Sequence, residues 1–174
     1  MYNSKKLEYK GEKFDSKKEL DFYKRFVEPL ESDDFKAFLH PHYDILDSYI
    51  LGGLKGRKMV YTPDVVIKNG KGDVIHVFDV KNSIQPNKKG KEYTPSVYMS
   101  EGAKDRIRLF QSRYGLPVEI VVPMRKIVRM TVYGTTKSIG LHEFEKVNYD
   151  IKDYIGATEP TTKSTCSGNA RIVD

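Results

Sequence analysis

The stretch 61–82 constrains the fold more than any other part of the chain. It reads Tyr-Thr-Pro63-Asp64-Val-Val-Ile, then a turn at Asn69-Gly70-Lys71-Gly72, then Asp73-Val-Ile-His-Val-Phe-Asp79-Val80-Lys81-Asn82. Both arms are apolar and rich in β-branched residues, and the turn chemistry between them predicts a β-hairpin. Arms this apolar belong to a buried sheet, where register is tightly specified. Asp79 and Lys81 are two apart on a strand and leave the same face. A turn that pairs Lys68 with Asp73 sets Asp64 opposite Val77 and makes it the diagonal neighbour of Asp79 on that face. Two carboxylates and an ammonium then converge. Buried carboxylates are costly unless neutralised, and a hard divalent cation such as Mg²⁺ suits oxygen ligands. The plainer alternative is a surface hairpin whose Asp and Lys are solvated.

Upstream, residues 5–14 alternate around Gly11 and suit a short strand or an ordered arm. Ser16 and Glu19 form a capping box, with Leu20, Tyr23, Phe26, Val27 and Leu30 at helical spacing behind it, so a helix is predicted over 17–28, before Pro29. In the capping reading the Glu19 carboxylate returns to the backbone N–H of Ser16. Residues 35–46 suggest two short extended pieces around Pro41. His40 and His42 read as structural or substrate-contacting, because a His-X-His pair without further nitrogen or sulfur ligands is no zinc signature. Residues 48–58, with Gly52-Gly53, read as a basic loop, and 82–94 as a polar, lysine-rich loop placed to close over a bound backbone.

Downstream, Ser100 caps a predicted helix reaching Tyr114, with Ala103, Ile107, Phe110 and Tyr114 facing inward and Gly115 as its stop. A buried strand over 118–122, a further strand within 125–133 and a peripheral helix over 141–155 follow. These elements compose one α/β domain over 1–155, and 156–174 is a Thr/Ser/Gly-rich stretch read as a flexible tail.

The net charge of +6 fits a polyanionic partner. Its distribution argues further, because the lysines and arginines cluster in segments that flank the hairpin. Lys17, Lys18, Arg57, Lys58, Lys88, Lys89, Lys91, Lys104 and Arg108 are the candidate contacts to a phosphate backbone. The single cysteine, Cys166, excludes an internal disulfide framework and a cysteine zinc site. No apolar run reaches the length of a membrane span and no signal peptide is read, so cytoplasmic residence is expected.

Pro63-Asp64 and Asp79-Val80-Lys81 match the PD-(D/E)XK motif, and the chain resembles the restriction-endonuclease-like nucleases. Further runs, Tyr9-Lys-Gly-Glu-Lys-Phe-Asp-Ser-Lys-Lys-Glu19, Pro41-His-Tyr-Asp-Ile and Arg108-Leu-Phe-Gln-Ser-Arg-Tyr-Gly115, make it similar to a family of small phage-associated domains of originally unknown function. That family is placed among these nucleases and is sometimes described as phage Holliday-junction resolvases. The resemblance implies a restriction-endonuclease-like core, a mixed central sheet flanked by helices. It also implies Mg²⁺- or Mn²⁺-dependent hydrolysis of DNA, with branched DNA as substrate. Asp64 and Asp79, with Glu19 and the Val80 carbonyl, would hold the metal, and Lys81 would assist the attacking water and the scissile phosphate. Symmetric cutting of two strands implies a homodimer. The rival readings are a nuclease-fold DNA-binding module without catalysis and a restriction- or transposase-type nuclease acting on linear duplex.

Overall fold

The computed structural model describes residues 6–86, 95–137 and 139–156. Strands β1 (Leu7–Tyr9) and β2 (Glu12–Phe14) form a small hairpin, and Lys10 and Gly11 both take positive φ at its turn. Helix α1 (Lys17–Phe22) begins at Ser16, whose Oγ accepts the Glu19 N–H at 3.1 Å. The helical path then widens to a π turn over Tyr23–Val27 and tightens to a 3₁₀ turn over Glu28–Leu30. Pro29 therefore does not end the path at residue 28. It sits in the first turn of the 3₁₀ segment, where its missing N–H is no loss.

Strands β3 (Phe35–Leu39) and β4 (Tyr43–Leu46) flank His40-Pro41 as expected. The predicted loop over 48–58 is instead largely ordered: β5 (Tyr49–Leu51) and β6 (Leu54–Gly56) pair about Gly52 and Gly53, both at positive φ. Strand β7 (Met59–Tyr61) returns to pair with β4. The central hairpin follows as β8 (Val65–Asn69) and β9 (Val74–Val80), then the short pair β10 (Ile84–Pro86) and β11 (Pro95–Val97). Of the predicted 82–94 loop, residues 87–94 lie outside the described residues, and with them Lys88, Lys89 and Lys91. Helix α2 (Glu101–Tyr114) is capped by Ser100 and ends on Gly115 in the left-handed region, as the sequence predicts.

Strand β12 (Glu119–Pro123) pairs parallel to β9, and β13 (Val128–Val132) antiparallel to β12. The predicted helix over 141–155 is overturned. Residues His142–Phe144 form β14 on the sheet edge, and only Lys152–Ile155 are helical, as α3. The apolar spacing that suggested a helix arises because Phe144 pairs with Val128 while Val147 and Ile151 turn into the core. The central sheet is six-stranded and mixed, in the order β14-β13-β12-β9-β8-β3.

Both faces of the sheet are covered, so neighbouring residues of β8 enter different cores. Val65, Ile67 and Phe78 pack with Phe14, Phe22 and Phe26 on the α1 side. Val66, Val77 and Ile120 pack with Ile107 and Phe110 on the α2 side. The predicted hairpin register is corrected by two residues. Lys68 lies opposite Val74 rather than Asp73, because Asn69 Oδ1 accepts the N–H groups of Lys71 and Asp73 and closes the turn itself. A bulge at Ile75 then sets Val66, not Asp64, opposite Val77. Two single-residue displacements sum to an even number, so every side chain keeps its predicted face. Among the described residues no helix is long and apolar enough to cross a membrane.

Candidate metal centre

A cleft opens where β8 begins and β9 ends. Asp64, one residue before β8, is clamped by its backbone: its N–H donates to the Phe78 carbonyl at 3.0 Å and its carbonyl accepts the His40 N–H at 3.1 Å. Its Oδ2 accepts the Val80 N–H at 2.6 Å. Asp64 lies one step beyond the Val65–Phe78 pair, near enough to Asp79 that the two carboxylates act on one another as like charges. Asp79 is buried. Its Oδ1 is held by the Lys81 ammonium, and its Oδ2 accepts the Tyr61 hydroxyl at 3.3 Å. Lys81 is fixed in turn by β12, since its N–H donates to the Val121 carbonyl at 2.8 Å.

Glu19 reaches the same cleft from the first turn of α1 and is only 2% exposed. Its Oε2 accepts the N–H of Asp15 at 3.1 Å, not that of Ser16 as the capping reading has it. Its Oε1 lies 2.5 Å from His40 Nε2. His40 holds φ at +49°, a left-handed backbone that histidine tolerates better than most residues and that turns its ring from β3 toward the helix. Ligand atoms of Glu19, His40 and Asp64 lie within 4.8 Å of one another, and this group could hold a metal ion. Asp79 stands beside this trio, both of its oxygens already partnered by Lys81 and Tyr61.

The electrostatics follow from crowding. Burial and the neighbouring Asp79 carboxylate push Asp64 up to about 8. Burial also raises Glu19, with His40 opposing the shift. Burial and Asp79 hold the Tyr61 hydroxyl far above its ordinary range, so it stays a donor to Asp79. Three carboxylates face one lysine and one histidine. An oxygen-rich set of crowded carboxylates fits a hard divalent cation. The Val80 backbone, Lys81, Asp15 and Tyr98 complete the walls of an open cleft of about 300 Å³.

The predicted cationic contacts divide. Lys17 is exposed beside the cleft residues Asp15 and Ser16, and Lys18 donates to the Pro123 carbonyl at 3.1 Å, at the cleft end of β12. Arg57 is exposed, and Lys58 pairs with Asp44 at 3.2 Å. Lys104 and Arg108 are not turned to the cleft. Lys104 pairs with Glu101 at 2.6 Å, while Arg108 binds Asp105 and reaches Tyr133 just past β13, at the far end of the sheet. Pairing one turn away on the same helix satisfies these cations locally.

At that far end sits a second carboxylate. Glu119, fully buried, places Oε1 2.9 Å from His76 Nδ1 and accepts the Tyr149 hydroxyl on Oε2 at 2.5 Å. His76 and Tyr149 also line a cavity of about 590 Å³ with Leu30, Leu116 and Val147 among its walls. Nothing in the linear spacing announces this network, since its three members come from β9, β12 and the stretch after β14. The role of His40 is hidden in the same way, the positive φ being visible only in the structure.

One family matches the chain, described as "Protein of unknown function (DUF1064)", over residues 1–101. No curated protein matches it, and no solved structure does. The matched span contains every residue of the cleft described above.

Proposed function

The chain belongs to the DUF1064 family, and from that premise and the chemistry of its cleft we propose that it is a divalent-metal-dependent DNA endonuclease of restriction-endonuclease-like fold, selective for branched DNA and working as a homodimer. The observation that carries the reading is that Glu19, Asp64 and Lys81 line one solvent-open cleft at the ends of two paired strands, with Asp79 buried beside it and held by Lys81. A mixed sheet covered by helices on both faces is the setting such a fold requires.

In this mechanism Glu19, Asp64 and Asp79, with the Val80 carbonyl, would hold Mg²⁺ or Mn²⁺, and the ion would supply Lewis-acid activation of the scissile phosphate and of an attacking water. Lys81 Nζ donates hydrogen bonds to that water and to a phosphate oxygen, offsetting charge as it develops. Tyr61 keeps Asp79 oriented through its hydroxyl, and His40 does the same for Glu19 through Nε2. Lys17 and Lys18, next to the cleft, and the basic stretch at Arg57 and Lys58 bind backbone phosphates, with Lys88, Lys89 and Lys91 in the same role.

The test is cleavage of labelled four-way junction, flap, single-stranded and duplex DNA with Mg²⁺, Mn²⁺, Ca²⁺ or EDTA. Strand scission that EDTA abolishes and that prefers the junction is the expected result. DNA binding with no scission under either metal overturns catalysis, and an Asp79→Ala variant that cuts at the native rate overturns the site.

A further inference from the structure

Tyr98 is 93% exposed, the most exposed of the large apolar or aromatic residues described, yet it is not on a loose segment. Val97 before it packs against the α2-side core, Met99 after it is buried there, and Ser100 caps α2. The backbone is pinned on both sides, and alternation turns the ring outward, where it lines the same cleft as Asp64, Val80 and Lys81. Among the described residues the ring makes no hydrogen bond and no aromatic contact.

A rigidly mounted aromatic face in water, beside a cleft able to bind phosphate, fits one ligand surface best: the face of a nucleobase. Base-on-aromatic stacking is tolerant of sequence and strong enough to select. A tyrosine gives up only two side-chain torsions to provide it. In intact duplex each base face is already covered by its neighbours, and extruding a base is costly, least so where the base is already unpaired. From this we infer that Tyr98 stacks on the base of an unpaired nucleotide adjoining the scissile phosphate, so that the cleft acts on DNA where pairing is interrupted. The inference rests on the endonuclease reading above and narrows its substrate class.

The experiment compares the full-length wild type, Tyr98→Phe and Tyr98→Ala, each with Mg²⁺ and with Mn²⁺. The substrates are a perfect duplex, the same duplex with a short unpaired stretch, and that stretch carrying single abasic positions. The wild type is expected to cut beside the unpaired nucleotides faster than within the duplex, and Tyr98→Phe to keep that preference. Tyr98→Ala is expected to lose about 5- to 150-fold more rate on the unpaired target than on the duplex, the range that loss of one stacked base implies. One abasic position should slow the wild type by a similar factor and leave Tyr98→Ala no slower, a signature that misfolding does not produce. Equal losses on both substrates, or no loss, overturn the role of Tyr98 while the endonuclease reading stands. A wild type that cuts a four-way junction but none of these DNAs overturns the role of Tyr98 while the endonuclease reading stands, and one that cuts neither the junction nor these DNAs with either metal removes both.

Discussion

Strand β9 leads from one carboxylate centre to another, and the two centres are built on opposite terms. Toward its start, His76 meets Glu119, which has one partner for each oxygen, the imidazole and the Tyr149 hydroxyl. Phe78 stacks on His76 with ring centroids 5.0 Å apart. At its end, among the described residues, Glu19 and Asp64 line an open cleft with Asp79 buried beside them, His40 pairing with Glu19 and Lys81 with Asp79. A satisfied buried charge specifies structure, whereas carboxylates crowded beside an open cleft raise one another's affinity for a proton and make a candidate site. Cavity size alone points the other way, since the 590 Å³ space lies at the satisfied end. Charge balance, not volume, separates the two.

The comparison breaks first on activity. Asp79→Asn and Asp64→Asn should each lower metal-dependent cleavage by about 10³-fold or more, the scale on which a pre-organised charge-stabilising group acts, while Glu119→Ala should leave the rate per folded molecule near native. Single-turnover assays corrected for folded fraction decide this. On stability the order reverses. Glu119→Ala strands a buried imidazole and a tyrosine hydroxyl and should cost about 3–5 kcal/mol in urea unfolding. A Glu119→Ala protein as stable as the wild type would show the far network to be ornamental.

A smaller effect sharpens the contrast. Removing like charge should make Asp64→Asn about 1 kcal/mol more stable than the metal-free wild type at pH 8, the usual sign when a functional site is relaxed. The pH dependence follows by linkage. Asp64 is raised in the folded state, so the folded protein holds its proton longer than the unfolded chain does. The stabilisation is present below the ordinary aspartate range and is lost as pH climbs toward about 8. Metal-free thermal unfolding should therefore weaken over that window, and Mg²⁺ should raise the midpoint most at its upper end. A metal-induced shift that is flat from pH 5 to 8 would contradict the crowding of the carboxylates. Smallest of all, Lys104→Ala or Arg108→Ala should change stability by less than about 0.5 kcal/mol and leave DNA affinity nearly untouched, whereas Lys17→Ala should reduce the salt slope of binding by about 1.

The acid end was the more legible of the two, because its chemistry sits on one local hairpin. Asp64, Asp79 and Lys81 share a face by period alone, and the two errors in register, the Asn69 closure and the Ile75 bulge, cancelled in parity. The Ser16 cap announced the start of α1 and so the position of Glu19, whereas a metal role for its carboxylate came only with the family resemblance. What the sequence could not convey were partners brought by tertiary packing: His40 on Glu19, Tyr61 on Asp79, and the His76–Glu119–Tyr149 network. The helix expected over 141–155 failed for a related reason. Val147 and Ile151 answer to a core contributed by distant strands, and local periodicity carries no information about that core.

The tight turn at Asn69 has a kinetic consequence as well. It brings the Asp64 carboxylate to the Val80 amide across a separation of 16 residues, whereas His76 and Glu119 must close over 43. By loop-closure entropy the second closure costs about 0.9 kcal/mol more. A chain collapsing from the unfolded ensemble thus gathers its mutually repelling acids before it completes the network that seals the opposite end. Acid in the ordinary aspartate range, by neutralising Asp64 in the unfolded chain, should hasten that early encounter, and loss of Glu119 should show itself chiefly as faster unfolding.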